Sequence, residues 1–197
     1  MLILLLLTSC SKESSQMINT PAEMTPISLY YAPKDAVINI GMTRNEINEQ
    51  IGEERRDTRV RFGKQVDVFA GNLLVYFVDD IAVQFEITFD IIAFHYYLNT
   101  GMGLFTNLGS FYRLYNVPDE MKTKNPAVDI SDYHFEIRQS SDGFTTQLLP
   151  DFEAFQNFRK HSIDNNDDAY YMSVFLGWDR MIHFDIHSII IGKANVP

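Results

Sequence analysis

Nine residues in the middle of the chain, Ile81-Ala82-Val83-Gln84-Phe85-Glu86-Ile87-Thr88-Phe89, alternate strictly between large apolar side chains and small or polar ones. A repeat of two is the repeat of an extended strand, so Ile81, Val83, Phe85, Ile87 and Phe89 are expected on one buried face. Such a strand needs a hydrogen-bonding neighbour and a cover for its apolar side. The neighbour is adjacent in sequence: Leu73 to Val78 reads as a second strand, with Asp79-Asp80 as the turn between them.

The cover is upstream. In Gly41-Met42-Thr43-Arg44-Asn45-Glu46-Ile47, Thr43 can cap a helix, Glu46 completes the capping box, and Met42 can staple onto Ile47. Ile47 and Ile51 share a helical face, and Gly52 supplies the left-handed stop, which predicts a short helix over 44–51. A second pass of the same plan is suggested by Asn107 as cap, Phe111 and Tyr115 at helical spacing, and Asn116 as stop. Strands are expected near 132–139 (Tyr133, Phe135, Ile137), at 144–149, 169–176 and 181–191, with a turn at Ser141-Asp142-Gly143 and a helix at about 151–160. The expected class is α+β: short helices on one face of an antiparallel sheet, with the repeated cap and stop suggesting two tandem helix-plus-meander units over residues 27–100 and 101–197. With 197 residues, 46% of them hydrophobic, such a chain has enough apolar surface for a real core.

The N-terminus carries an address. The apolar block Leu2 to Leu7 is followed by Leu7-Thr8-Ser9-Cys10 and then by Ser11-Lys12-Glu13-Ser14-Ser15. This resembles a bacterial lipoprotein signal, in which the Cys after two small residues takes a diacylglycerol and becomes the first residue of the mature protein. The resemblance implies a signal peptide over 1–9, lipidation of Cys10, and a flexible tether over 10–26, rich in Ser, Thr and Pro. Ser11, rather than Asp, after the cysteine implies outer-membrane cargo facing the periplasm. Cys10 is the one cysteine, so no internal disulfide can form, and neither a Cys nucleophile nor a Cys-ligated zinc is open to the body of the protein.

The run Gly41-Met42-Thr43, Glu46-Ile47, Ile51-Gly52, then Leu73 to Asp80 and a further strand resembles the BamE/SmpA family of small outer-membrane lipoproteins, and the related fold of the β-lactamase inhibitory protein. That fold is built from tandem helix-plus-sheet units, and its members act mainly by binding other proteins. The resemblance therefore implies a non-catalytic envelope module, scaffold or inhibitor in type, whose partner is another envelope protein. A net charge of -10, from 16 Lys+Arg against 26 Asp+Glu, argues against nucleic acid as a partner and leaves the membrane to the lipid anchor. The same charge would suit an immunity lipoprotein that neutralises a basic toxin.

Three patterns invite a chemical reading. His183, Asp185 and His187 alternate with Ile182, Phe184 and Ile186, a strand spacing that can ligate a metal and would suit a metal enzyme or carrier, but a half-exposed strand already explains the alternation and no fourth ligand is identifiable by spacing. Arg55, Arg56, Arg59 and Arg61, followed by Lys64, form a basic cluster that either docks an acidic partner surface or lipid headgroups, or protects a sheet edge from aggregation. Asp164-Asn165-Asn166-Asp167-Asp168 is oxygen-rich but lacks the Gly and Glu of a calcium loop, and is expected as a polar hairpin or a helix-to-strand loop. His161, Ser162 and Asp164 lie close together without a nucleophile elbow, and Gly101-Met102-Gly103 lacks the rest of a phosphate loop, so no cofactor is implied. The adjacent pairs Tyr30-Tyr31, Tyr96-Tyr97 and Tyr170-Tyr171 should each leave one ring outside if they stand on strands, and exposed rings of this kind anchor protein contacts.

Overall fold

The computed structural model describes residues 19–52, 57–61, 64–69, 73–88, 95–104, 106–123, 132–176 and 186–197, with 57–61 described as backbone. The chain begins with a hairpin, β1 (Ser28–Tyr31) and β2 (Ala36–Asn39), and enters helix α1 (Arg44–Ile51). Thr43 caps this helix by accepting a hydrogen bond from the Glu46 amide, and the Glu46 carboxylate accepts one from the Thr43 amide at 2.7 Å. Gly52 ends it at φ 90° and ψ 162°, an extended glycine conformation instead of the expected left-handed helical one. Four antiparallel strands follow in a meander: β3 (Asp57–Arg61), β4 (Lys64–Phe69), β5 (Leu73–Val78) and β6 (Ile81–Thr88). Asp79 and Asp80 both take positive φ, the geometry that matches the twist of a two-residue hairpin.

The second half runs through β7 (Tyr96–Tyr97), α2 (Leu108–Leu114), β8 (Asp132–Ser140), β9 (Gly143–Leu148), α3 (Phe152–Asn165), β10 (Ala169–Leu176) and β11 (Ile186–Lys193). Asn107 caps α2 by accepting from the Ser110 amide, and Asn116 follows it at positive φ. These strands do not make a second meander. Between β9 and β10 the chain crosses β8 by way of α3, which gives the order β9-β8-β10-β11. β11 then pairs with β6, so both halves share one eight-stranded antiparallel sheet, β3-β4-β5-β6-β11-β10-β8-β9, while β2-β1-β7 form a small sheet of their own.

The main core lies between one face of the large sheet and α1, α2 and the small sheet, where Leu29, Ile38, Ile47, Phe77, Phe85, Phe111, Phe135 and Val174 are all sealed from solvent. The fold is α+β as expected, but the helices are not confined to one face. Helix α3 covers the opposite face of β8 and β10, packing Phe158 and Phe155 against Leu149, Ala169 and Tyr171. Both members of the pair Tyr170-Tyr171 are therefore buried, one on each face, against the expectation of one exposed ring. In the pairs Tyr30-Tyr31 and Tyr96-Tyr97 one ring is buried and the other partly open, as expected. The alternation of β6 is also broken. A register shift between Tyr76 and Phe77 opposite Ala82 to Gln84 turns Ala82 into the main core and Val83 into a small cluster on the other face with Val66 and Tyr76. Helix α3 runs five residues further than the sequence pattern suggested, so Asp164 and Asn165 belong to its last turn and Asn166 is its left-handed cap.

Candidate functional site

Two polar constellations and a cavity stand out among the described residues. The first ties α1 to the sheet. Arg44, in the first turn of α1, reaches across to β4, where it pairs with Asp67 and donates to Gln65 at 2.6 Å; its Nε donates to Asp80 in the β5-β6 turn at 2.8 Å. The guanidinium also lies 4.3 Å from the centre of the Phe77 ring. Asp67 is fully buried and Arg44 nearly so. Burial pulls the Arg44 pKa down, but the bonds to Asp80 and Asp67 outweigh it and hold the pKa above the ordinary arginine value. Backbone bonds from Arg44 to Asp80 and between Ala82 and Met42 complete the seam. This group holds charge for structural purposes, running from buried Asp67 to Asp80 at the surface.

The second constellation has the composition of a catalytic relay. His134 on β8 contacts Ser173 Oγ through Nδ1 at 2.8 Å and Asp132 through Nε2 at 3.1 Å. A carboxylate only accepts, so Nε2 carries the proton and neutral Nδ1 accepts from the serine hydroxyl. A hydroxyl, a base and an orienting carboxylate are thus in line. Access is the difficulty: the Phe155 ring of α3 stacks on the imidazole at 4.2 Å and 9°, Phe152 and Phe175 flank it, and Ser173 is buried. Burial pushes the His134 pKa below its ordinary value, against the opposing pull of Asp132. A group so enclosed holds α3 onto the sheet.

The third is a cavity of about 200 Å³ beneath α2. Phe135, Ile137 and Met172 are among the sheet residues that line it, Tyr115 closes one side, and Thr146 and Leu148 of β9 complete the far wall; none of its lining residues is charged. The Tyr115 hydroxyl donates to the Met172 sulfur at 3.8 Å, and burial pushes the phenol up to about 12.

The residues singled out by sequence are distributed differently. Cys10, Arg55, Arg56, His183 and Asp185 lie outside the described residues. His187 is exposed on β11. Among the described residues no group of three or more His, Cys, Asp or Glu side chains could hold a metal. Arg59 and Arg61 stand on β3, an edge strand of the large sheet, and Lys64 opens its neighbour β4. On α3, Ser162 is buried while His161 is exposed beside Asn165 and Asp164 pairs with Lys160, so these three do not form a site. No helix among the described residues is long and apolar enough to cross a membrane.

Sequence reasoning missed both buried networks. A cation in the first turn of a helix opposes the helix dipole, and Asp67 interrupts an apolar strand; together they were a signal that the two pair. For His134 the alternation of β8 points outward, and only the docking of α3 encloses it. No protein-family model matches the chain, and no curated protein and no solved structure is significantly similar to it.

Proposed function

We propose that the chain is a lipid-anchored protein-binding module of the bacterial cell envelope, of scaffold or inhibitor type, which performs no chemistry of its own. The observation that carries this reading is the burial of His134 and Ser173, with the Phe155 ring stacked on the imidazole. A substrate would have to reach the hydroxyl that the base activates, and both Ser173 and His134 are buried. Evidence for the address comes from Leu7-Thr8-Ser9-Cys10 and the polar run after it; three acyl chains on Cys10 would hold the body firmly at a membrane. Capture of the native lipoprotein from solubilised membranes should recover one envelope protein in near-stoichiometric amount. Recovery of the lipoprotein alone would overturn the reading.

The net charge of -10 favours a second version of it, an immunity lipoprotein with a basic toxin as its target. Deleting the gene separates the two, because an envelope defect in pure culture supports the scaffold and killing only by sibling cells supports immunity. In either version Cys10→Ser should move the protein from the membrane pellet to the soluble fraction with an unchanged melting midpoint. A mutant that still pellets wholly with membranes would remove the anchor from the proposal.

A further inference from the structure

We propose that the outer edge of β9 is a strand-docking site, which takes an extended segment of a partner protein and places one of its uncharged apolar side chains in the cavity beneath α2. The inference rests on the binding-module reading and names the surface and the chemistry of the partner.

The hydrogen-bond parity of the β8-β9 hairpin exposes the edge. The Leu149 amide bonds the His134 carbonyl at 2.8 Å, which makes that pair a bonded one. Bonded and non-bonded pairs alternate along an antiparallel ladder. Phe135↔Leu148, Ile137↔Thr146 and Gln139↔Phe144 are therefore non-bonded pairs. In such pairs the amide and carbonyl face away from the partner strand, so Phe144, Thr146 and Leu148 direct theirs at the open side of β9, where no described strand lies.

The two ends of the sheet are built differently. β3 carries Asp57, Arg59 and Arg61, charges that discourage strand addition. β9 reads Gly143-Phe144-Thr145-Thr146-Gln147-Leu148, with no charge, no proline and no bulge against β8. Such an edge favours strand addition, and a folded protein keeps one where it is used.

The cavity supplies specificity. Thr146 shares a face with half-buried Phe144 and Leu148 yet is itself exposed, so the cavity it lines reaches solvent at this strand. A residue added directly opposite Thr146 would point its side chain to the same face. The lining carries no charge and disfavours a charged side chain; the sheet side of it, Phe135, Ile137, Leu148 and Met172, suits an apolar one of leucine or phenylalanine size, with Thr100 and Asn116 on the other side. Exposed Asp142 and Asp151 flank the strand, one before it and one after, within a chain of charge -10. The segment that fits is accordingly extended, apolar at alternate positions and basic at its ends.

The test uses full-length protein in detergent and the synthetic peptide Lys-Lys-Thr-Leu-Thr-Leu-Thr-Lys-Lys, with a Glu-flanked peptide as control. The Lys-flanked peptide should bind saturably, at least tenfold more tightly than the control, and slow amide exchange at Phe144, Thr146 and Leu148 at least tenfold. Thr146→Pro removes an outward amide without breaking the ladder to β8, and Thr146→Lys puts a charge at the cavity mouth; each should weaken the peptide at least tenfold. Equal binding by both variants, protection elsewhere in the chain, or concentration-dependent protection without peptide would overturn the assignment, the last by making a second copy of the chain the occupant. Membrane capture with the same variants keeps the two proposals apart. If both variants still recover the partner at full yield, the edge assignment fails and the binding module stands; if the unaltered protein recovers none, the module itself fails.

Discussion

Arg44 shows how one side chain can bind a short helix to a sheet. The eight residues of α1 are too few to be stable alone. Burying Ile47 and Ile51 supplies part of what is missing, and the bond to Asp67 fixes where the helix lies. Removing one partner of a buried pair leaves the other charged and unsatisfied, at a cost of about 3–5 kcal/mol. Asp67→Ala should thus lower stability by about 3 kcal/mol in denaturant unfolding. Asp80→Ala, at the half-exposed end of the same network, should cost under about 1 kcal/mol because water screens that pair. Equal losses would mean that burial is not what sets the energy. Gly52→Ala strains a backbone at φ 90° that side chains rarely adopt, and its added methyl would also meet the flexible end of Lys34. It should lower the melting midpoint, with a loss of about 1 kcal/mol or more.

Among the elements, α3 was the least legible in the sequence and has the largest effect on the site. α1 and α2 follow from local rules: a cap, a period and a stop are all written within about ten residues, and Thr43, Asn107 and Asn116 act as that grammar requires. The start of α3 obeys the same rule, with Asp151 accepting from the Ala154 amide at 2.8 Å. Its docking face does not follow from local pattern, because Phe155 stacks on His134, a residue that becomes buried only once the helix is in place. That contact gives stability a pH dependence of known sign. The folded state lowers the His134 pKa, so the unfolded chain binds the proton more readily. The contribution is complete above the unfolded value of about 6.5 and is lost as pH falls through the lower folded value. Unfolding free energy measured from pH 7.5 downward should decline in this range, and His134→Gln should remove that share of the decline. An identical pH profile in the variant would show that His134 keeps its proton equilibrium on folding.

At the scale of the whole molecule, the order of the sheet was beyond the reach of pattern. Alternation identifies strands, but which strand lies beside which depends on the packing of distant segments. The pairing of β6 with β11 and the crossing of α3 over β8 have no local signature. Knowing the order gives the basic cluster a context, since Arg59 and Arg61 stand on the edge strand β3. Replacing Arg55, Arg56, Arg59 and Arg61 together with Gln should leave the fold intact and make the protein aggregate on concentration, as an edge stripped of charge does. A monomeric mutant that no longer recovers its membrane partner would instead assign this end of the sheet to docking.

The position of β11 has a kinetic consequence. It is the last of the described strands in sequence and an interior strand in space, joining Phe85 to Ile191 and Ile87 to Ile189. Until residues 186–193 have been made, β6 and β10 are both open edges with large aliphatic and aromatic side chains beside them. Contacts that span so much of the chain must first overcome the entropy of closing a long loop, and they slow folding accordingly. The sheet is completed from its centre by β11, so the two halves of the molecule cannot join in their native pairing before residues 186–193 are in place.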